Sequence, residues 1–232
     1  HAFSMAEYPD HDCPPHFYAR GNNPQFRHFG NLMKYANRMC HILNGGKHIA
    51  QAAILYHGES EWAGDFMKMQ KPARELTENQ IEFDFVSMDM LNNLEDYNGK
   101  IENGILNINE VEFKCLVVPY SQYITKELAN FIKTVNGLEI IFVDGMPQGI
   151  TNETSEAEQA ELIKILENCK VIKLEELTDL IQEKGFKEVK HKNKFSDLSY
   201  YHYIKDGNIY MFQNESAHET FRGEIELIIG EN

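Results

Sequence analysis

The stretch AAILYHGESEW, residues 52–62, joins a short apolar run to an acidic turn. Similar apolar runs, each followed by a longer amphipathic stretch, recur along the chain and are typical of βα units around a parallel sheet. Five runs predict strands: Ala52–Tyr56, Phe83–Ser87, Cys115–Pro119, Glu139–Val143 and Lys170–Ile172. Amphipathic stretches predict helices over 62–79, 125–135, 155–167 and 175–184.

This alternation predicts a three-layer α/β domain with helices on both faces of a parallel sheet. Right-handed crossovers between successive strands are expected, and the predicted strand order is the flavodoxin-like 2-1-3-4-5. The C-terminal stretch differs, because Asp206-Gly207 separates two alternating runs and is a strong hairpin signal. Strands predicted at 200–204, 208–212 and 224–229 form a small antiparallel β piece. It either packs on the α/β domain or begins a further β domain.

The first part of the chain has a different pattern. Residues 1–24 show neither a helical nor a strand period and predict a long loop. Apolar residues at helical spacing then predict an amphipathic helix over 25–43, followed by Asn44-Gly45-Gly46. His41 and His48 flank the end of this helix and are interpreted as capping or surface residues.

Composition disfavours several kinds of partner. The 232 residues include 36 acidic and 22 basic ones, a formal net charge of −14, so the surface repels phosphate backbones and anionic membranes. We expect neither a nucleic acid nor a membrane partner.

The four cysteines lie far apart and form no CxxC pair, which predicts neither a zinc site nor a disulfide framework. No basic leader with an apolar core is recognised, so a cytoplasmic protein is predicted.

Ligands of open α/β sheets bind at the carboxyl ends of the strands. The turn after the first predicted strand contains neither GxGxxG nor GxxxxGK[ST], and it places carboxylates where a phosphate needs amides and a cation. Nucleotide and flavin binding are therefore disfavoured, and no cofactor is expected. The turn at residues 143–147 (VDGMP) contains neither Cys nor Ser, so it lacks the nucleophile of a hydrolase or an amidotransferase.

The remaining candidates at the first strand tip are Glu59, Glu61, Trp62 and Asp65. Carboxylates and aromatic faces bind sugars through hydroxyl hydrogen bonds and ring stacking. A structural interpretation stays open, in which the acidic residues complement a helix dipole and Trp62 packs the helix start. Adjacent tip residues are poorly placed to flank a scissile bond, so no catalytic residue is predicted. The cluster His11, Asp12, Cys13 and His16 matches no standard zinc spacing, so no metal site is predicted.

The runs AILYHGESEW (53–62), QKPAREL (70–76) and FDFV (83–86) resemble the trimerisation domain that follows the barrel in family 42 β-galactosidases and related bacterial glycosidases. Residues 115–120 and 138–143 resemble its third and fourth strands, and residues 200–216 resemble the start of the next β domain. The resemblance implies three parts. Residues 1–46 would be the end of a (β/α)8 barrel, 47–190 the flavodoxin-like trimerisation-type domain, and 191–232 the start of a β-sandwich.

By this resemblance the chain is a non-catalytic domain of a glycoside hydrolase whose catalytic glutamates lie outside it. It implies a homo-oligomer, contact with the rest of the parent enzyme, and carbohydrate as the ligand. Tip loops of the domain would approach a neighbouring subunit's active site. Tyr18, Arg20 and Asn22 of the first loop would join the four tip residues as substrate contacts.

Two other functions stay open at this point. A stand-alone α/β module that binds a small molecule is the main alternative. The other is a degenerate amidotransferase-like enzyme, which would require a reactive thiol at a cysteine such as Cys115 or Cys169.

Overall fold

A computed structural model describes residues 24–151, 155–167 and 169–228. The chain divides into two compact units, His1–Gly46 and Lys47–Asn232, and each is considered by itself. The three-part division into a barrel end, an α/β domain and a β piece stays a prediction.

Seven α-helices are described: α1 (Phe26–Ile42), α2 (Gly58–Glu61), α3 (Gln70–Thr77), α4 (Met88–Asn92), α5 (Lys126–Thr134), α6 (Glu156–Leu166) and α7 (Leu177–Glu183). Within the same described residues, short 3-10 helices cover Leu94–Tyr97 and Leu174–Glu176. The described strands are β1 (Lys47–His48), β2 (Ala52–Tyr56), β3 (Phe83–Ser87), β4 (Lys100–Glu102), β5 (Ile105–Ile108), β6 (Val111–Phe113), β7 (Cys115–Pro119), β8 (Tyr123–Ile124), β9 (Glu139–Val143), β10 (Gly149–Ile150), β11 (Lys170–Ile172), β12 (Val189–His191), β13 (Leu198–Ile204), β14 (Asn208–Asn214) and β15 (Ile225–Leu227).

The first unit contains α1, the helix that the sequence predicts over 25–43. Its amphipathic pattern includes Phe26 and Phe29, whose rings stack with centroids 6.0 Å apart. The helix ends where the backbone N–H of Leu43 donates to the carbonyl of Met39.

The second unit is built on a five-stranded parallel sheet with the order β11-β9-β7-β2-β3. In terms of the five strands in sequence, this is 2-1-3-4-5, so the predicted α/β fold class and strand order are confirmed. The central strand β7 pairs with β2 on one side and with β9 on the other, with Val117 opposite both Ile54 and Ile141. All five residues of β7 are buried, as expected for a strand covered on both faces.

Alternating residues of the strands enter two separate cores. One face of the sheet presents Leu55, Leu116 and Phe142 to a core completed by α4, α5 and α6. The other presents Ile54, Val117 and Ile141 to a core completed by α3 and α7. Because successive strand residues point to opposite faces, near-continuous apolar runs are needed to fill both cores. This gives the helix–sheet–helix layering that the sequence predicts.

Side-chain caps fix where the helices begin. The hydroxyls of Ser87, Thr125 and Ser155 accept from the backbone N–H groups of Met90, Leu128 and Glu158, respectively. Each capping residue has an extended backbone. Its hydroxyl satisfies a backbone donor that the first helical turn leaves free.

The predicted helix over 62–79 is wrong in its first half. The segment forms only α3, and the residues between α3 and the preceding helix α2 run past the loop that follows β7. There the N–H of Met67 donates to the carbonyl of Tyr120 at 2.7 Å, and the N–H of Gln122 donates to that of Asp65 at 2.7 Å. These long-range backbone bonds override the local helical pattern.

A three-stranded antiparallel meander, β4-β5-β6, lies between β3 and β7 in sequence and was not predicted. Its turns use left-handed residues, including Asn103 and Asn109. Leu106, Ile108 and Phe113 from the meander are buried in the core beside α5. The insertion therefore extends one core of the domain.

The predicted hairpin is confirmed and extends to β13 and β14, which pair over seven residues. β13 also pairs with β1, and β12 pairs with β15. The side-chain amide of Gln80 donates to the carbonyl of Leu198 at 2.6 Å, and its oxygen lies 2.5 Å from Nε2 of His191. These bonds join the β piece to the loop before β3, and its interpretation as the start of a further β domain stays a prediction.

His48 forms an ionic contact between β1 and the strand β3. Its Nε2 donates to Glu82 at 2.7 Å and its Nδ1 to Asp84 at 3.2 Å, while the ring stacks on Tyr201 with centroids 4.6 Å apart. Burial lowers the pKa of His48, but the hydrogen bonds to Asp84 and Glu82 outweigh it and raise this pKa to about 9. His48 is thus a partly buried cation rather than a capping or surface residue.

We predict that His48 makes the stability of the protein depend on alkaline pH. A histidine whose pKa is raised by folding stabilises the folded state fully below its ordinary value of 6.5, and this contribution is lost as the pH rises to about 9. Urea unfolding between pH 6.5 and pH 9 measures the free energy of unfolding of the protein and of the His48→Gln variant. The free energy of unfolding should fall by about 2 kcal/mol more in the unmodified protein, because one unit of pKa is worth about 1.4 kcal/mol and the part-exposed Asp84 is screened.

The Asp84→Asn variant removes one of the two carboxylates and should retain a smaller part of this dependence. Parallel pH curves for the protein and His48→Gln would contradict the assigned charge state.

Candidate functional site

The carboxyl edge of the parallel sheet is formed by the loops that follow β2, β7 and β9. Backbone hydrogen bonds join the loop after β2 to the loop after β7, and the N–H of Gln148 in the third loop donates to the carbonyl of Gln122 at 2.8 Å. Strands β8 and β10 pair in parallel and hold the second and third loops together. The three loops therefore form one connected surface.

The predicted tip residues lie together on the loop after β2, residues 57–69, which is named the acidic loop. Glu59 and Glu61 belong to α2, and Trp62 and Asp65 follow it. Glu59 and Asp65 are exposed, and the Trp62 side chain is 91% exposed. Trp62 therefore does not pack the helix start, and the indole is available to a ligand. The predicted contacts Tyr18, Arg20 and Asn22 lie outside the described residues and stay predictions.

Gly64 allows this loop to approach the loop after β7. A Cβ atom at this position would lie 2.6 Å from Oε1 of Gln122 and 2.9 Å from the ring of Tyr123. The same Gln122 oxygen accepts from the N–H of Asp65 at 3.2 Å. The close packing brings the acidic loop against the loop after β7.

Asp144, at the tip of β9, has a structural role. It adopts a left-handed conformation with φ of 63°, and its Oδ1 accepts from the N–H of Leu174 at 2.9 Å. The adjoining Gly145 places its backbone against the ring of Tyr120. This turn closes the sheet edge beside β9.

His57 is a buried residue of this edge that the sequence reasoning did not select. Its Nε2 donates to the carbonyl of Met67 at 3.0 Å, and its ring meets Phe66 edge-on at 6.4 Å. Burial lowers the pKa of His57, more than the hydrogen bond to Met67 and the charges of Glu61 and Glu59 raise it. The ring is therefore neutral, with its hydrogen on Nε2 and an unprotonated Nδ1.

Two buried side-chain atoms at this edge lack a hydrogen-bond partner among the described residues: Nδ1 of His57 and Oγ of Ser121. His57 is 2% exposed and Ser121 is 3% exposed. Ser121 pairs with Phe66 in an isolated bridge, next to the backbone of Met67 that holds the histidine. The sequence signal for both residues is a polar residue just after a mainly apolar strand: His57 directly follows β2, and Ser121 lies two residues after the end of β7.

Several kinds of chemistry find no support at this edge. Within residues 24–151, 155–167 and 169–228, no group of three or more His, Cys, Asp or Glu side chains is placed to hold a metal ion. Glu59 and Glu61 are two positions apart in a short helix, and side chains at that spacing do not face each other.

The same described ranges contain no helix that is both long enough and apolar enough to cross a membrane.

Comparison with known proteins gives one structural likeness. No family model matches the chain, and no curated protein matches it. A rhamnosidase from Novosphingobium sp. PP1Y has a similar structure, with a TM-score of 0.58 and 14% sequence identity over 82% of this chain. The chain covers 19% of that rhamnosidase. At this identity the likeness concerns the fold, and the resemblance to a family 42 trimerisation domain stays a prediction.

We predict that Cys115 is chemically inert in the folded protein. Its side chain is fully buried, and burial raises the pKa of its thiol to about 12, so the reactive thiolate is scarce at neutral pH. Iodoacetamide labelling followed by peptide mass mapping should modify the exposed Cys40 first. Cys115 should react only after unfolding. Cys169, half-buried and with a pKa raised by burial, should react more slowly than Cys40.

Rapid labelling of Cys115 in the folded protein would contradict this assignment. It would also restore the amidotransferase-like alternative, which needs a reactive thiol.

Proposed function

We propose that this chain is a non-catalytic α/β domain of a glycoside hydrolase, and that its carboxyl-edge loops bind carbohydrate. The observation that carries the proposal is the likeness to 19% of a much larger rhamnosidase. A fold that covers most of this chain recurs there as a minor part of an enzyme that acts on a sugar. This agrees with the accessory role that the sequence resemblance implies.

The side chains of the acidic loop suit a sugar ligand. Trp62 offers an exposed indole face, on which the apolar face of a pyranose ring can stack. Glu59, Glu61 and Asp65 supply carboxylate oxygens that accept hydrogen bonds from hydroxyl groups. The three charges on one short loop disfavour phosphorylated ligands.

The spacing of Glu59 and Glu61 also favours an accessory role. Glycosidases place two carboxyl groups across the scissile bond, roughly 5–10 Å apart and facing each other. In the described part of the acidic loop, the carboxylates of Glu59 and Glu61 project from different sides of α2. The catalytic glutamates would then belong to another part of the parent enzyme.

Assembly is the second part of the proposal. Support of a homo-oligomer, contact with the rest of the parent enzyme and delivery of the tip loops to a neighbouring active site all follow from the family 42 resemblance. A β-galactoside is the ligand that this resemblance implies, and a rhamnoside is the ligand that the structural likeness suggests.

We predict that Trp62 fluorescence reports sugar binding directly, because Trp62 is the single tryptophan of the chain. Titration with methyl β-D-galactopyranoside and with L-rhamnose should give a saturable change in emission for at least one sugar. Isothermal titration calorimetry should show roughly tenfold weaker binding to Trp62→Ala, because an aromatic contact contributes about 0.5–1.5 kcal/mol and tenfold is about 1.4 kcal/mol.

Phe85→Ala is the matched control. Phe85 is another exposed aromatic residue, 42% accessible on the edge strand β3, and its removal should leave the affinity unchanged. Failure of both sugars to bind the unmodified chain would contradict the carbohydrate proposal and favour a stand-alone module for another small molecule.

A further inference from the structure

The two buried polar atoms at the carboxyl edge belong to residues that contact the acidic loop. His57 follows β2 and Ser121 follows β7, and these strands are neighbours in the sheet. Both residues contact the same short stretch: Nε2 of His57 binds the carbonyl of Met67, and Ser121 bridges to Phe66. Nδ1 of the one and Oγ of the other remain unpaired within the described chain.

Buried polar atoms without a hydrogen-bond partner destabilise the folded protein. A buried polar group without a partner costs roughly 1–3 kcal/mol, and the great majority of buried polar atoms in folded proteins are paired. Two of them on adjacent strand tips, at the edge where this sheet class binds ligands, indicate a binding function.

We propose that Nδ1 of His57 and Oγ of Ser121 form a polar subsite for hydroxyl groups of a neutral sugar. This inference rests on the proposed carbohydrate function and names the residues that read the sugar. His57 accepts a hydrogen bond from one hydroxyl through Nδ1. Ser121 both donates to and accepts from the other, as a hydroxyl can.

The chemistry of the subsite selects against charged ligands. His57 holds its proton on Nε2 for the carbonyl of Met67, so Nδ1 offers a lone pair and no donor to an anion. Glu59, Glu61 and Asp65 on the acidic loop repel anions further. The single acceptor nitrogen lies in no described cluster that could hold a metal cation.

Both atoms are buried, so a sugar reaches them only when residues 58–65 of the loop move while Met67 keeps its contact with His57. The described contacts that hold the loop include two backbone bonds to the 120–122 loop and one bond from the N–H of Asp65 to the side chain of Gln122. Its helix α2 has four residues, of which Ser60 is the only buried one. Trp62 lies on this loop, so its fluorescence follows the movement.

The first experiment compares Ser121→Ala with Ser87→Ala by calorimetric melting and by titration with methyl β-D-galactopyranoside and L-rhamnose. Ser121→Ala removes an unpaired hydroxyl, so the ligand-free protein should melt at the same or a higher temperature, while sugar affinity falls about tenfold. Ser87→Ala removes the cap of α4 at the neighbouring strand tip. It should lower the melting temperature and leave affinity unchanged.

The second experiment uses His57→Gln. A glutamine amide replaces the Nε2 donor to Met67 but lacks an acceptor at the position of Nδ1, so the variant should fold and bind sugar about tenfold more weakly. Nitrogen-15 NMR of the imidazole groups should show the unprotonated Nδ1 signal of His57 shifting with saturating sugar. That signal is assigned by its absence from His57→Gln.

The outcomes separate this inference from the function on which it rests. Sugar binding with unchanged affinity in both variants would overturn the subsite and leave the carbohydrate function standing. Ethanolamine, which carries a cationic amine beside a hydroxyl group, tests the selection for neutral ligands. Its binding in preference to both sugars would also overturn the subsite. A lower melting temperature for Ser121→Ala with unchanged affinity would show that the serine is structural. If neither sugar binds the unmodified protein, the proposed function fails first.

Discussion

Burial of both faces of the parallel sheet is the constraint on which the rest of the molecule depends. The central strand β7 has no exposed residue, so both of its faces must be covered by helices, with α5 and α6 on one side and α3 and α7 on the other. The helices have to return along the outside of the sheet, and this places the loops after β2, β7 and β9 at the same edge. The candidate site is a consequence of the core.

The structure gives those loops different properties. The loop after β9 is closed by Asp144, whose carboxylate binds the backbone of Leu174. The loop after β2 is held mainly through its backbone, which leaves the side chains of Glu59, Trp62 and Asp65 free to face solvent. A rigid sheet thus supports a loop whose exposed groups suit a sugar, while two buried polar atoms of residues that contact this loop remain unpaired within the described chain.

The five strands were predictable from the sequence to the residue, because each is a compact apolar run bounded by turn residues. The hairpin was predictable from Asp206-Gly207. The break between α2 and α3 was not, since it depends on backbone bonds between Met67 and Tyr120. The meander escaped prediction because its short strands are interrupted by Asn, Gly and Glu residues and show no continuous apolar run. His48 was misinterpreted because its partners Glu82 and Asp84 are distant in sequence, and His57 and Ser121 were missed because an unpaired buried atom is visible only in three dimensions.

The pairing of β1 with β13 brings Lys47 opposite Ile204, and this fixes an order of events during synthesis. A ribosome releases the chain from its N-terminus, so β2, β3, β7 and β9 can assemble once residue 143 has emerged, whereas β1 must wait for the hairpin. Domains generally fold as their residues become available, and pairings between distant residues form late. We therefore expect the nascent protein to pass through a stage in which its sheet is formed while the strand that begins the unit is still unpaired.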